Sequence, residues 1–97
     1  MYRLIIKLSA ELDATDAANW YNEIRSGLGD EFVLALDVKV SAIQRNPNSF
    51  PIIYKNIRRA LTERFPYGIF FIVEDEDIYV LAIQHTSRNP QNWRKRK

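Results

Sequence analysis

The chain of 97 residues has no cysteine, a single histidine and only three glycines. Without thiols there is neither a disulfide framework nor a thiolate zinc site. The sequence also lacks a glycine loop able to cradle a phosphate, a His/Glu pair at metal-ligand spacing, and a nucleophile elbow. Those absences remove the commonest motif-borne chemistries, so no metal and no organic cofactor is expected. No apolar run approaches the ~18–20 residues that span a bilayer. The opening Met1-Tyr2-Arg3-Leu4-Ile5-Ile6-Lys7 alternates apolar with basic residues and leads to no small-residue cleavage site. No membrane partner is expected, and the cytoplasm is the simple address.

What is present reads as ordinary globular protein, with 46% hydrophobic and 27% charged residues. The length suits one domain over residues 1–97, ending in a basic tail at 93–97. The net charge of +2 is unevenly spread. Residues 1–54 hold five Lys/Arg against seven Asp/Glu, whereas residues 55–97 hold nine against five. The second half can therefore present a basic surface to an anionic partner, or simply a solvated charged face.

The period of the pattern changes along the chain. Tyr2 to Leu8 alternates like a half-buried strand. Ala14, Ala17, Tyr21, Ile24 and Leu28 then recur at helical spacing, with Ser9 or Asp13 as candidate N-cap. Gly27 and Gly29 punctuate the end, and Asp30 can cap the next helix, whose stripe is Phe32, Leu36, Val40 and Ile43. So short a connection makes residues 10–45 an αα-hairpin. Beyond the loop fenced by Pro47 and Pro51, three strands are predicted, Ile57–Phe65, Tyr67–Glu74 and Asp77–Gln84, joined by turns that suit antiparallel neighbours. The fold class is thus α+β, β-α-α-β-β-β. The helical hairpin packs on one face of a small, largely antiparallel sheet, and the other face stays partly open.

Candidate functional residues lie in the second half. On a strand Ile57–Phe65, two-residue alternation places Arg58, Ala60, Thr62 and Arg64 on one face and Arg59 and Glu63 on the other. Arg58 and Arg64 there can grip successive phosphates or a carboxylate-rich peptide, because guanidinium makes forked, charge-assisted bonds to both. The bland alternative is an edge strand kept from aggregating by its charges. His85, on a face shared with Tyr79, Leu81 and Ile83, is either structural or a proton-transfer group at the sheet rim. Arg88 can neutralise charge on a phosphorane. Trp93 beside Arg94, Lys95, Arg96 and Lys97 can stack on a base or pin the tail to the domain. Trp20, within a helix, reads as core or interface packing.

The segments Asp16–Tyr21, Gly27–Phe32, Ile57–Leu61, Arg64–Glu74 and Val80–Pro90, followed by Trp93, together resemble the RelE/ParE superfamily of toxins over nearly the whole chain. The resemblance implies the toxin of a bacterial type II toxin–antitoxin pair, covered and neutralised by a cognate antitoxin. RelE-like members cleave messenger RNA on the ribosome with basic and aromatic or His residues; ParE-like members poison DNA gyrase without that set. Arg58 and Arg59 lie on the strand that supplies basic residues in the nucleases, and Arg88 matches the basic position after the last strand. Gly68 stands where nuclease members usually carry arginine, and Trp93 falls where they place an aromatic hydroxyl. Those departures favour the ParE-like branch, with no enzymatic activity required. His85 and Arg88 are the catalytic candidates if the RelE-like alternative holds. Arg58, Arg64, Arg88, Trp93 and Arg94 are candidates for an anionic partner in either case. A third reading is an inactive member that only binds antitoxin and co-regulates transcription.

Overall fold

The structure, a computed structural model, describes residues 1–96; Lys97 of the expected tail lies outside the described residues. The alternating N-terminal segment forms β1 (Arg3–Ile6), and α1 (Leu8–Ile24) follows at once. Lys7, in extended conformation, is its N-cap, without a side-chain cap bond. The expected caps Ser9 and Asp13 are instead spent on the sheet. Ala10, Ala17 and Tyr21 bury one stripe of α1. A three-residue turn ending in Gly27, at φ 89°, leads to α2 (Leu28–Arg45). That left-handed angle suits glycine, so Gly27, not Asp30, sets the start of α2. The stripe Phe32, Leu36 and Ile43 is buried and Val40 half-buried, as the periodicity predicts.

A short 3₁₀ turn (Pro47–Ser49) follows, then β2 (Ile52–Tyr54), β3 (Ile57–Leu61), β4 (Tyr67–Glu74), β5 (Asp77–His85) and a one-turn α3 (Gln91–Arg94). Two expectations are corrected here. The sequence pattern misses β2, a three-residue edge strand too short to display alternation. The strand expected over Ile57–Phe65 ends at Leu61. Thr62 Oγ1 donates to the carbonyls of Phe65 (2.8 Å) and Tyr67 (3.2 Å), and Arg64 takes φ 71°, so the chain turns where alternation suggested it ran on.

The sheet order is β1-β5-β4-β3-β2, a four-strand antiparallel meander with β1 added parallel to β5. Between β4 and β5 the register slips by one: Phe70 pairs Ala82, but Phe71 pairs Val80. Leu81 is the extra residue of a β-bulge. Strand alternation resumes one step out of phase, which puts Leu81 and Ala82 on the same face. His85 therefore joins the face of Ile78, Val80 and Ile83, and is parted from Tyr79 and Leu81, with which plain alternation had grouped it.

The helices pack on one face of the sheet over Ala60, Ile69, Phe71, Ile78, Val80 and Ile83. The opposite face carries a smaller cluster, Ile57, Phe70, Ile72, Leu81 and Ala82, covered by Trp93 from α3. β1 pairs only as far as Val80, which leaves the next stretch of β5 an open edge. Helix α1 closes it: Ser9 Oγ donates to the Leu81 carbonyl at 3.0 Å, and Asp13 accepts the Ile83 N–H at 3.0 Å. Arg96 reaches the same Asp13 from the C-terminal segment, with a second contact at 3.2 Å. Satisfying buried backbone groups in this way avoids a cost of about 1–3 kcal/mol each. No helix among the described residues is long and apolar enough to cross a membrane.

Candidate functional site

Because of the bulge, His85 faces the helices, opposite Tyr67 in the β4–β5 ladder. The two rings meet edge to face at 5.4 Å. A tight turn follows, with the Arg88 N–H bonded to the His85 carbonyl at 3.0 Å. His85 Nδ1 accepts the Ser87 N–H at 3.1 Å and lies 2.8 Å from its hydroxyl. With Nδ1 acting as acceptor, the neutral ring carries its proton on Nε2.

Helix α1 supplies the facing wall. Asp13, Asp16, Ala17 and Trp20 share one side of it by three- and four-residue spacing. With Tyr67, His85 and Arg88 they enclose a cleft of about 250 Å³. Asp13 is already committed to Arg96 and the β5 edge. Asp16 has no ion-pair partner among the described residues, and the same holds for Arg88. Burial pushes the Tyr67 hydroxyl above its ordinary value and the nearby Tyr21 adds to this, while Arg88 opposes it. Tyr67 thus stays protonated at neutral pH and serves as a neutral hydrogen-bonding group.

The remaining sequence candidates are scattered. Arg58 lies on the helix-facing side of β3 and donates to the carbonyls of Phe50 (2.6 Å) and Asn48 (3.3 Å). Arg64 has left the strand and pairs with Glu31 of α2 at 2.9 Å. The expected two-arginine face of one strand is therefore not formed, because the turn at Thr62–Pro66 carries Arg64 to the helices. Trp93 is 7% exposed and stacks on Phe70 at 4.5 Å with an interplanar angle of 16°. Arg94 lies over the Tyr54 ring at 4.5 Å. Of the candidates, only His85 and Arg88 share a cleft. Asp13, Asp16, Trp20 and Tyr67 were not foreseen as their neighbours; the spacing of the first three along α1 is the signal that could have found them. Trp20, read from the sequence as core or interface, is 55% exposed at the cleft rim.

The ion pairs make a pH prediction. Hydrogen bonds from Arg64 and then Arg25 hold Glu31 below the ordinary 4.5, and Arg3 holds Asp77 below the ordinary 3.8. A carboxyl with a lowered folded pKa stabilises above its unfolded value and loses that contribution as pH falls through the folded one. The melting temperature should stay level from neutral pH to about 5 and decline below that. Glu31→Gln should make the decline shallower; an unchanged acid slope in that variant would remove the Arg64–Glu31–Arg25 cluster as its cause.

Comparison with known proteins agrees with this architecture. A family model described as "ParE toxin of type II toxin-antitoxin system, parDE" matches residues 4–90. "Toxin ParE2" of Mycobacterium tuberculosis, in strains CDC 1551 / Oshkosh and H37Rv, is 28% identical over 89 residues, covering 91% of this chain and 85% of the relative. The solved structure titled "Chromosomal ParDE TA system from P. aeruginosa" superposes with a TM-score of 0.79 at 21% identity, over 88% of this chain and 96% of that one. At that identity the likeness speaks for the fold.

Proposed function

Because the chain belongs to the ParE toxin family, as the toxin component of a type II toxin–antitoxin system, we propose that it arrests growth by poisoning DNA gyrase. In this reading the whole chain acts as one toxin domain in the cytoplasm, and a cognate antitoxin neutralises it. The observation that carries the reading is the dispersal of the groups a nuclease would gather. Arg58 is tied to loop carbonyls, Arg64 to Glu31, and Trp93 is buried on Phe70. His85 and Arg88 share a cleft, but among the described residues no second lysine or arginine lines it with them to stabilise the charge that builds on a phosphate. For the antitoxin, Leu8 and Leu12 on α1 and Leu34 and Val38 on α2 supply apolar surface, each more than half exposed.

The test is a side-by-side assay with purified gyrase on supercoiled DNA and with translating ribosomes on messenger RNA. Gyrase–DNA cleavage complexes should accumulate, and His85→Ala and Arg88→Ala should keep that activity within about threefold, as expected of residues outside a catalytic set. RNA cuts that both substitutions abolish would replace this reading by the ribosome-dependent endonuclease, with His85 and Arg88 catalytic. A chain that causes no arrest when made alone would leave the antitoxin-binding co-regulator.

A further inference from the structure

The cleft between α1 and the β4–β5 rim holds four kinds of group that no step of toxin action above employs. The Trp20 indole is 55% exposed at its rim. It is held by an edge-to-face contact with the buried Tyr21 at 5.0 Å, which leaves ring surface free. Asp16, one helical turn earlier on the same side of α1, has a carboxylate with no ion-pair partner among the described residues. Arg88 stands across the cleft, likewise without a carboxylate partner among them. Tyr67 offers a neutral hydroxyl.

We infer that this cleft binds a guanine base, with Trp20 as the stacking surface, Asp16 as the reader of its Watson–Crick edge and Arg88 toward the attached phosphate. A carboxylate presents two acceptors side by side. Among the standard bases only guanine answers with two adjacent donors, N1–H and the N2 amino group; adenine and cytosine offer a donor beside an acceptor. Stacking on an aromatic face tolerates any base, so selectivity falls on Asp16. An arginine side chain from a protein partner also carries paired donors and stacks on indole. It would, however, bring its positive charge against Arg88, whereas guanine is neutral and its phosphate is attracted there. The cleft, of about 250 Å³ and open to solvent on one side, has room for a single base.

The experiment is an amide and indole NMR titration of the full chain with guanosine monophosphate, adenosine monophosphate, an arginine amide, and trinucleotides with central guanine or adenine. Guanosine monophosphate should move the Trp20 indole and the Gln84–Arg88 amides saturably, while the buried Trp93 indole stays still. The adenine nucleotide should bind about tenfold or more weakly, as for a well-made bidentate contact. Asp16→Asn should keep the native spectrum elsewhere and erase the guanine preference. Tighter binding of the guanine trinucleotide than of the mononucleotide assigns the base to a nucleic-acid strand; the reverse assigns it to a free nucleotide. No saturable shift of the Trp20 indole, equal affinity for both purines, preference surviving Asp16→Asn, or preference for the arginine amide would each overturn the proposal. None of these readouts involves gyrase, so the two readings succeed or fail separately.

Discussion

Phe32→Ala should destabilise the protein by about 3–5 kcal/mol, the range for deleting a fully buried phenylalanine ring. Phe32 is wholly buried, and its ring meets three others: Tyr21 at 5.2 Å, Phe65 at 5.3 Å and Tyr67 at 4.8 Å. Those partners come from α1, from the β3–β4 turn and from β4, so one ring pins α2 to three separate elements. Aromatic pairs add roughly 0.5–1.5 kcal/mol each beyond burial. Removing the ring therefore leaves a cavity that no single element can close by shifting. Domains of this size have about 5–15 kcal/mol in total, so the variant should stand near the edge of folding. Denaturant unfolding measures the loss, with Phe32→Leu as the milder comparison. A cost below about 1.5 kcal/mol, typical of a volume-conserving exchange, would mean that the aromatic cluster repacks. The effect should also reach the cleft, because Tyr67 forms one of its walls.

Gly29→Ala should be nearly as damaging, about 3 kcal/mol, the upper part of the range for overpacking. Alanine is a better helix former than glycine, so propensity alone forecasts the opposite sign. Gly29 is the buried contact point of α2 on α1. A methyl group built there would lie 2.1 Å from the backbone carbonyl oxygen of Ala18 and 2.6 Å from the side chain of Asn22. The Gly29 N–H also donates to Asn22 Oδ1 at 2.7 Å, a bond that depends on the same close approach. Neither neighbour is the loose end of a long side chain, so the two helices must move apart. Gly27→Ala provides the contrast. Nothing lies within 4 Å of a Cβ at that position, and the cost there comes only from its φ of 89°. Roughly 1 kcal/mol for a non-glycine residue in that region is expected. Equal melting temperatures for the two alanine variants would remove the helix-contact role of Gly29.

Both predictions show how far local pattern carries. The stripe Phe32, Leu36 and Ile43 is visible in the sequence as a periodicity, and it is buried. That Phe32 sits among Tyr21, Phe65 and Tyr67 is a matter of which elements meet. Gly27 and Gly29 look alike as helix punctuation, yet one enables a backbone angle and the other a contact. The β-rich second half was legible as antiparallel hairpins, because β4 and β5 are long and their turns are short. β2 was not, and neither was the end of β3, where a hydroxyl and a left-handed Arg64 override an alternation that reads straight on.

The candidate site divides in the same way. His85 and Arg88 are close in sequence and close in space. Their neighbours on α1 are remote in sequence: Asp13 and Ile83, hydrogen-bonded to one another, lie 70 residues apart. Read along the chain alone, the α+β class, the helical hairpin, the antiparallel meander and, through resemblance, the toxin family are all legible. These depend on period, turn chemistry and motif, all of them local. Contacts between remote elements set the rest: the parallel placement of β1 beside β5, the burial of Trp93, the separation of Arg58 from Arg64, and the face on which His85 stands. The last is the plainest case. Side chains on a strand alternate with a period of two, so the single extra residue at Leu81 reverses the face of every residue after it. The bulge exists only where β5 pairs with β4, and periodicity along one strand carries no record of its partner.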